Sequence, residues 1–188
     1  TFLQTYNTGS RADRTKLVTI YTQQGEILNV PIVVATRAIG TKTDLTNLAK
    51  KYKNNVAGEY YALTANIDAG NLNLTNYFGG SWKNANPWYA TFDGQGYAIQ
   101  NVKFTNGLFP NIATTGVVTN LGLINGQKAV NGGGLISNEC AGEISNCFVQ
   151  GSIDTGDNNG ASQGGLVNLA YANATIENNV VIPTYTNG

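Results

Sequence analysis

Glu143-Ile144-Ser145-Asn146-Cys147-Phe148-Val149 decides the fold, because it is one of four stretches built alike. The others begin Ile99-Gln100-Asn101-Val102, Val118-Thr119-Asn120-Leu121 and Ile176-Glu177-Asn178-Asn179. A second element precedes the last three: Gly107-Leu108-Phe109, Gly134-Leu135-Ile136 and Gly165-Leu166-Val167. Its leucines are 27 and 31 residues apart. Self-similarity at this period signals a solenoid, in which each repeat buries its apolar face only by stacking on its neighbour.

Aligned on the Asn, the stretches give columns. Ile99, Val118, Ile144 and Ile176 share one, and Asn101, Asn120, Asn146 and Asn178 the next but one. Three residues after each Asn stand Phe104, Leu123, Val149 and Val181. Between them, Lys103, Gly122, Phe148 and Val180 form a mixed, outward set. Alternation of this kind marks strands with one buried face. The Asn interrupts it, and Val102, Leu121 and Cys147 resume the apolar pattern at once, so the chain must bend there. Asn tolerates the left-handed backbone of a sharp bend, and its amide can bond to the Asn of the next rung. The expected fold is all-β: a parallel β-helix, right-handed, with an inward Ile/Val/Leu stack and an Asn ladder at a corner. An antiparallel sandwich also uses short strands, but it does not repeat one sequence in register.

Composition agrees. The 188 residues suffice for one sizeable core, only 12% are charged, and Gly (23) and Asn (26) supply corners. Net charge is zero but uneven. Residues 1–53 hold eight Lys/Arg against three Asp/Glu, and residues 104–188 one against five. The basic residues form no nucleic-acid-binding module, so no nucleic-acid partner is expected. No apolar run reaches the roughly 20 residues of a membrane span. Methionine is absent even at position 1, so we expect a processed or excised piece of a longer protein. The two cysteines, Cys140 and Cys147, make no disulfide framework; a buried thiol at Cys147 and a bond to Cys140 both fit the spacing.

Residues 1–36 read as a separate β segment, a cap or the end of a preceding domain, and residues 37–188 as the solenoid. In the first, Leu17–Tyr21 and Ile27–Val34 flank Gln23-Gln24-Gly25 as a hairpin. Over residues 43–52, Leu45, Leu48, Ala49 and Tyr52 fall on one helical face. Thr43 is the expected N-cap and Lys50, Lys51 and Lys53 suit the C-terminal end of the dipole. This helix should cover the open end of the solenoid, where strand edges would otherwise be bare. Residues 71–91 are a long excursion carrying Tyr77, Phe78, Trp82, Trp88 and Tyr89, before Asp93-Gly94-Gln95-Gly96 turns the chain back into the repeat.

These residues resemble the Glug repeats of bacterial surface proteins. The motif reads Gly134-Leu135-Ile136-Ser137, then Glu143 to Phe148, then Gly151-Ser152-Ile153. The lead-in, Leu63-Thr64-Ala65-Asn66-Ile67-Asp68 followed by Phe92 to Ile99, is similar to the opening before such repeats. The chain departs from the pattern where Pro110, Ser137 and Asn168 replace its second Gly. The resemblance implies an extracellular, cell-surface protein of the adhesin kind, or the non-catalytic region of a surface peptidase. It supplies no catalytic residue.

The residues themselves offer little chemistry. With no His, the usual triads, a Cys–His nucleophile and most zinc sites are absent. Asp154-Thr155-Gly156-Asp157-Asn158-Asn159 has calcium-like ligands without EF-hand spacing, and reads first as a solvated loop. Glu139 and Glu143 stand four apart across a turn, and a paired-carboxylate hydrolase would need them converging. Ice binding would need a flat Thr array, which the outward set does not supply. We therefore expect no enzyme activity, no cofactor and no metal. The chain reads as an adhesin or rigid stalk whose partners are a host protein or glycan and neighbouring domains. The alternative is a β-helix polysaccharide hydrolase or lyase. The binding residues would be Tyr77, Trp82, Trp88 and Tyr89, because aromatic rings stack on sugar faces and long loops carry function.

Overall fold

A computed structural model describes residues 4–5, 15–21, 27–51, 55–74, 87–129, 133–156 and 164–186. Ahead of the repeats lie β1 (Gln4–Thr5), β2 (Thr15–Tyr21), β3 (Ile27–Ala35), β4 (Arg37–Ile39) and α1 (Lys42–Lys51). The first coil is built from β5 (Tyr60–Leu63) and β6 (Ile67–Asn73), the second from β7 (Thr91–Asp93), β8 (Ala98–Phe104) and β9 (Asn111–Ile112). The third has β10 (Val117–Thr119), β11 (Gly122–Lys128) and β12 (Ser137–Cys140), and the fourth β13 (Glu143–Ser145), β14 (Phe148–Asp154) and β15 (Val167–Ala170). The last strands are β16 (Thr175–Glu177) and β17 (Val180–Thr186).

The strands stack into three parallel sheets, ordered β16-β13-β10-β7-β5-β4, β17-β14-β11-β8-β6 and β15-β12-β9. The fold is the expected parallel β-solenoid. β2 pairs antiparallel with β3, as the hairpin reading requires, while its turn lies outside the described residues. β3 also pairs with β1, and after Thr36 the chain enters the solenoid through β4, which runs parallel to β5.

The register corrects one column. Val118, Ile144 and Ile176 stack as read, but the residue beneath Val118 is Phe92, not Ile99. Ile99 lies one sheet further along, paired with Ile67 and Leu123 and continued by Val149 and Val181. Phe104 pairs instead with Lys128. The cause is a second Asn bend: Ile99-Gln100-Asn101 matches Leu123-Ile124-Asn125, while the Asp93–Tyr97 corner carries Gly94 where the next coil has Asn120. Three residues, Gln95 to Tyr97, lie between Gly94 and Ala98, where one, Leu121, lies between Asn120 and Gly122. Gln95 and Gly96 take positive φ of 53° and 80° to fit them in. Gly94 fills the Asn position of this coil: its N–H donates to Thr119 C=O as that of Asn120 does to Ser145 C=O. A Cβ on Gly94 would lie 2.4 Å from the Asn120 carbonyl oxygen, so no larger residue fits.

Two Asn-lined bends result. Asn120, Asn146 and Asn178 hold φ of 53°, 54° and 55° at one corner, where Asn120 Nδ2 donates to Asp93 Oδ1 at 3.0 Å. Asn71, Asn101 and Asn125 hold φ of 59°, 54° and 53° in bulges within β6, β8 and β11. There Asn125 Nδ2 donates to Asn101 Oδ1 at 2.6 Å and Asn101 Nδ2 to Asp68 Oδ1 at 2.9 Å. Left-handed backbone costs Asn less than other non-Gly residues, and stacked amides offset part of that cost.

The helix forms as expected, but its cap is Thr41 rather than Thr43. Asp44 N–H donates to Thr41 Oγ1 at 3.1 Å, and Asp44 Oδ2 accepts from Thr41 N–H at 3.0 Å. This reciprocal pair is a capping box with Asp as the acid. The Thr41 hydroxyl, with backbone donors at Gly40 and Thr41, holds the Asp44 carboxyl below its usual range. Leu45, Leu48 and Ala49 are buried in one core with Ile39, Leu63 and Ile67, and α1 touches β6. Tyr52 lies outside the described residues.

Candidate functional surface

Of the four aromatic residues read as a binding surface, the structure describes two. Trp88 is fully buried, which corrects its assignment. Its N–H donates to Asn111 C=O, its main chain bridges to Ile112, and its ring enters the solenoid. There it packs against Phe109 at 5.1 Å and Tyr61 at 5.3 Å between centroids, with Phe92 edge-on at 6.2 Å. Such a ring offers no face to a sugar. An indole this size gains more from the core than from solvent, and its one polar atom is placed 3.4 Å from Val117 C=O. Asn55 pins the same stretch: its Oδ1 accepts from Tyr89 N–H and Ala90 N–H, and its Nδ2 donates to Pro87 C=O. Tyr89, next in the chain, points the other way and is 40% exposed. Tyr77 and Trp82, with Asn84 and Asn86, lie outside the described residues.

The acidic candidates are each held by partners of their own. Glu139 accepts from the Tyr171 hydroxyl at 2.9 Å, while Glu143 accepts from the Ser145 hydroxyl at 2.6 Å. Ser145 is also 2.9 Å from the Thr119 hydroxyl, one coil back. Each carboxylate thus serves its own sheet. The bond to Glu139 raises the Tyr171 phenol above its ordinary pKa. Asp154 Oδ1 accepts from Gly156 N–H at 2.9 Å, and the rest of that loop lies outside the described residues. Among the described residues no three His, Cys, Asp or Glu side chains gather as a metal site.

Asp93 collects several donors. Nearly buried, it accepts from the Tyr60 hydroxyl, from Gln95 through both its main chain and its amide, and from Asn120. Burial, then this carboxylate, pushes the Tyr60 phenol well above its usual range. The cluster closes the irregular corner and ties the first three coils together.

One buried group was not legible. Lys128 occupies an inward position between Phe104 and Ile153 and is 2% exposed. Its Nζ donates to Ala129 C=O at 2.9 Å. Burial lowers its pKa to about 8, against the opposing pull of Asp154. Both cysteines are free thiols in the core; burial raises Cys140 and takes Cys147 to about 11, so neither is an activated nucleophile. A cavity of about 230 Å³ lies where α1 meets β4 and β5, beside Arg37, Asp44, Asn47 and Glu59. It is smaller than the roughly 300 Å³ at which ligand pockets begin. Its Glu59 is already bonded to Val56 N–H and the Tyr61 hydroxyl.

Among the described residues, one surface feature is apolar. Phe148 and Val180 pair side by side on the outer face of β14 and β17, 40% and 54% exposed, with Ile182 beyond them at 48%.

No protein-family model matches the chain, and no solved structure matches it. It is 30% identical over 180 residues to Halomucin of Haloquadratum walsbyi (strain DSM 16790 / HBSQ001). The alignment takes in 90% of this chain and 2% of that protein, so the chain spans about one-fiftieth of its relative's length. Among the described residues no helix is long and apolar enough to cross a membrane.

Proposed function

We propose that this chain is a non-catalytic β-solenoid module of a long extracellular, cell-surface protein, of the Glug-repeat kind, acting as a rigid stalk or adhesin segment. The observation that carries the reading is where the polar side chains go. Asp93, Ser145, Asn120 and Asn125 spend their hydrogen bonds on neighbouring coils, which stiffens a rod. A hydrolase would instead gather carboxylates in one groove. Similarity to a segment of a far longer protein that carries a mucin's name supports placement at a surface. The test is a screen of purified protein against acidic and neutral polysaccharides. New reducing ends or new unsaturated uronate absorbance would overturn the reading; their absence, with an elongated rod in small-angle scattering, would support it.

Adhesion, if this module performs it directly, belongs to the surface around Tyr89. This is the exposed aromatic at the end of the excursion, and the partner class is a host or surface glycan, or a host protein. A glycan array comparing the wild type with Trp82→Ala and Tyr89→Ala, each folded, tests this. Loss of binding in either variant supports the surface, and no binding by the wild type assigns the module to spacing alone.

A further inference from the structure

The two ends of the solenoid are finished differently. At the N-terminal end, α1 lays Leu45, Leu48 and Ala49 into the core. At the C-terminal end, β15, β16 and β17 are the outermost strands of all three sheets. The core columns lose their cover there. Phe92, Val118 and Ile144 are fully buried, but Ile176, stacked on Ile144, is 40% exposed. Ile153 is fully buried, whereas Tyr185, paired with it, is 53% exposed. Each outer strand also presents a row of main-chain donors and acceptors along its free edge.

A polar ladder adds direction. Asn168 Nδ2 donates to Asn138 Oδ1 at 3.1 Å, one coil back, and Asn168 Oδ1 is buried without a hydrogen-bond partner. The other ladders have the same polarity: Asn125 donates back to Asn101, Asn101 to Asp68 and Asn120 to Asp93. In these ladders the first three coils each offer an amide oxygen or carboxylate to the coil that follows, although Tyr60 O–H and Cys147 N–H donate forward to Asp93 and Asn179. By the repeat, the orphaned oxygen of Asn168 is the acceptor for one more amide.

We propose that the C-terminal end of this solenoid is a stacking face that takes a further coil of the same polypeptide, parallel and in register on β15, β16 and β17, with an amide side chain donating to Asn168. This rests on the reading of the chain as one segment of a longer repeat protein, and the relative's far greater length is consistent with it. The ladder polarity selects this occupant over a second copy. A copy related by a two-fold axis would meet the edge with antiparallel strands and a ladder of reversed polarity. A copy added head-to-tail would meet α1.

The test extends the full chain after Thr186 with a second copy of residues 155–186, which keeps the register because Asp154 pairs with Thr186. A control extension carries Ser at the copied Leu166, Ile176 and Val181. Amide exchange in β15–β17 should slow at least about tenfold with the native extension and not with the control, and the thermal midpoint should rise. The proposal is overturned if both extensions protect equally, if the added coil stays disordered while β5–β14 remain folded, or if the unextended chain is a dimer whose β15–β17 are already protected. None of these failures touches the polysaccharide screen, so the broader functional reading stands or falls separately.

Discussion

Val118 and Ile176 occupy the same column, carry similar side chains and belong to the same sequence motif, yet one is sealed and the other 40% exposed. The difference lies in their neighbours alone. Val118 has a coil on either side, Phe92 before and Ile144 after; Ile176 has only Ile144. In a one-dimensional stack, stability is a sum over interfaces, so a residue's weight depends on how many interfaces it joins. The comparison also explains α1. A helix that buries three side chains closes one end of the rod, and nothing among the described residues does the same at the other.

The largest expected effect sharpens this contrast. Val118→Asp should unfold the chain, because an unpaired charge enters a core that offers it no partner; costs of about 4 kcal/mol or more are typical of such changes. Ile176→Asp should cost less than half as much, since water already reaches the site. Urea unfolding of both variants checks the ranking, and equal losses would break the comparison. Next, Trp88→Ala should cost about 3–5 kcal/mol by leaving a cavity among Tyr61, Phe92 and Phe109. Tyr89→Ala should be within about 0.5 kcal/mol of wild type by the same measurement.

Lys128 provides a test by pH. Its native pKa, about 8, lies below the ordinary 10.5 of an unfolded lysine. Between those values the unfolded chain binds the extra proton, so the lysine's contribution to stability rises with pH across that window and its cost is fully present below about pH 8. Lys128→Met should therefore be favoured over wild type most at neutral pH, and the gap should narrow from pH 8 to 10.5 in thermal or urea unfolding. A gap independent of pH would remove the buried charge from the account. A small effect is expected at the closed end. Thr41→Ala should cost about 1 kcal/mol by removing the cap, while Thr43→Ala, one turn position inside the helix, should cost little. Reversal of that order would restore the cap to Thr43.

The repeat was legible because its cause is local and recurs. Val118, Ile144 and Ile176 share a spacing to Asn120, Asn146 and Asn178, and that spacing fixes which residues face inward and where the backbone must turn left-handed. The helix was legible for the same reason, through Leu45, Leu48 and Ala49. The second coil was not, because Gly94 replaces Asn at its corner and Ile99-x-Asn101 belongs to the other Asn bend, whose local spacing is the same. Only the stacking of Phe92 beneath Val118 shows that the register has moved on by one sheet.

The sequence by itself determined the architecture and the inward columns, since periodic apolar residues can be buried in few ways. The tertiary structure alone decided what each non-repeating residue does. An indole can bind a ligand or fill a core, and Trp88 fills the core because three rings meet it there. A lysine near a strand end can reach water, but Lys128 is stacked between Phe104 and Ile153. A carboxylate can face solvent or be enclosed, and Asp93 is enclosed because Tyr60, Gln95 and Asn120 converge on it from three coils. Those outcomes depend on which residues meet across coils 24–35 positions apart in the chain, and such meetings are set by register, which local spacing fixes only where the repeat is unbroken.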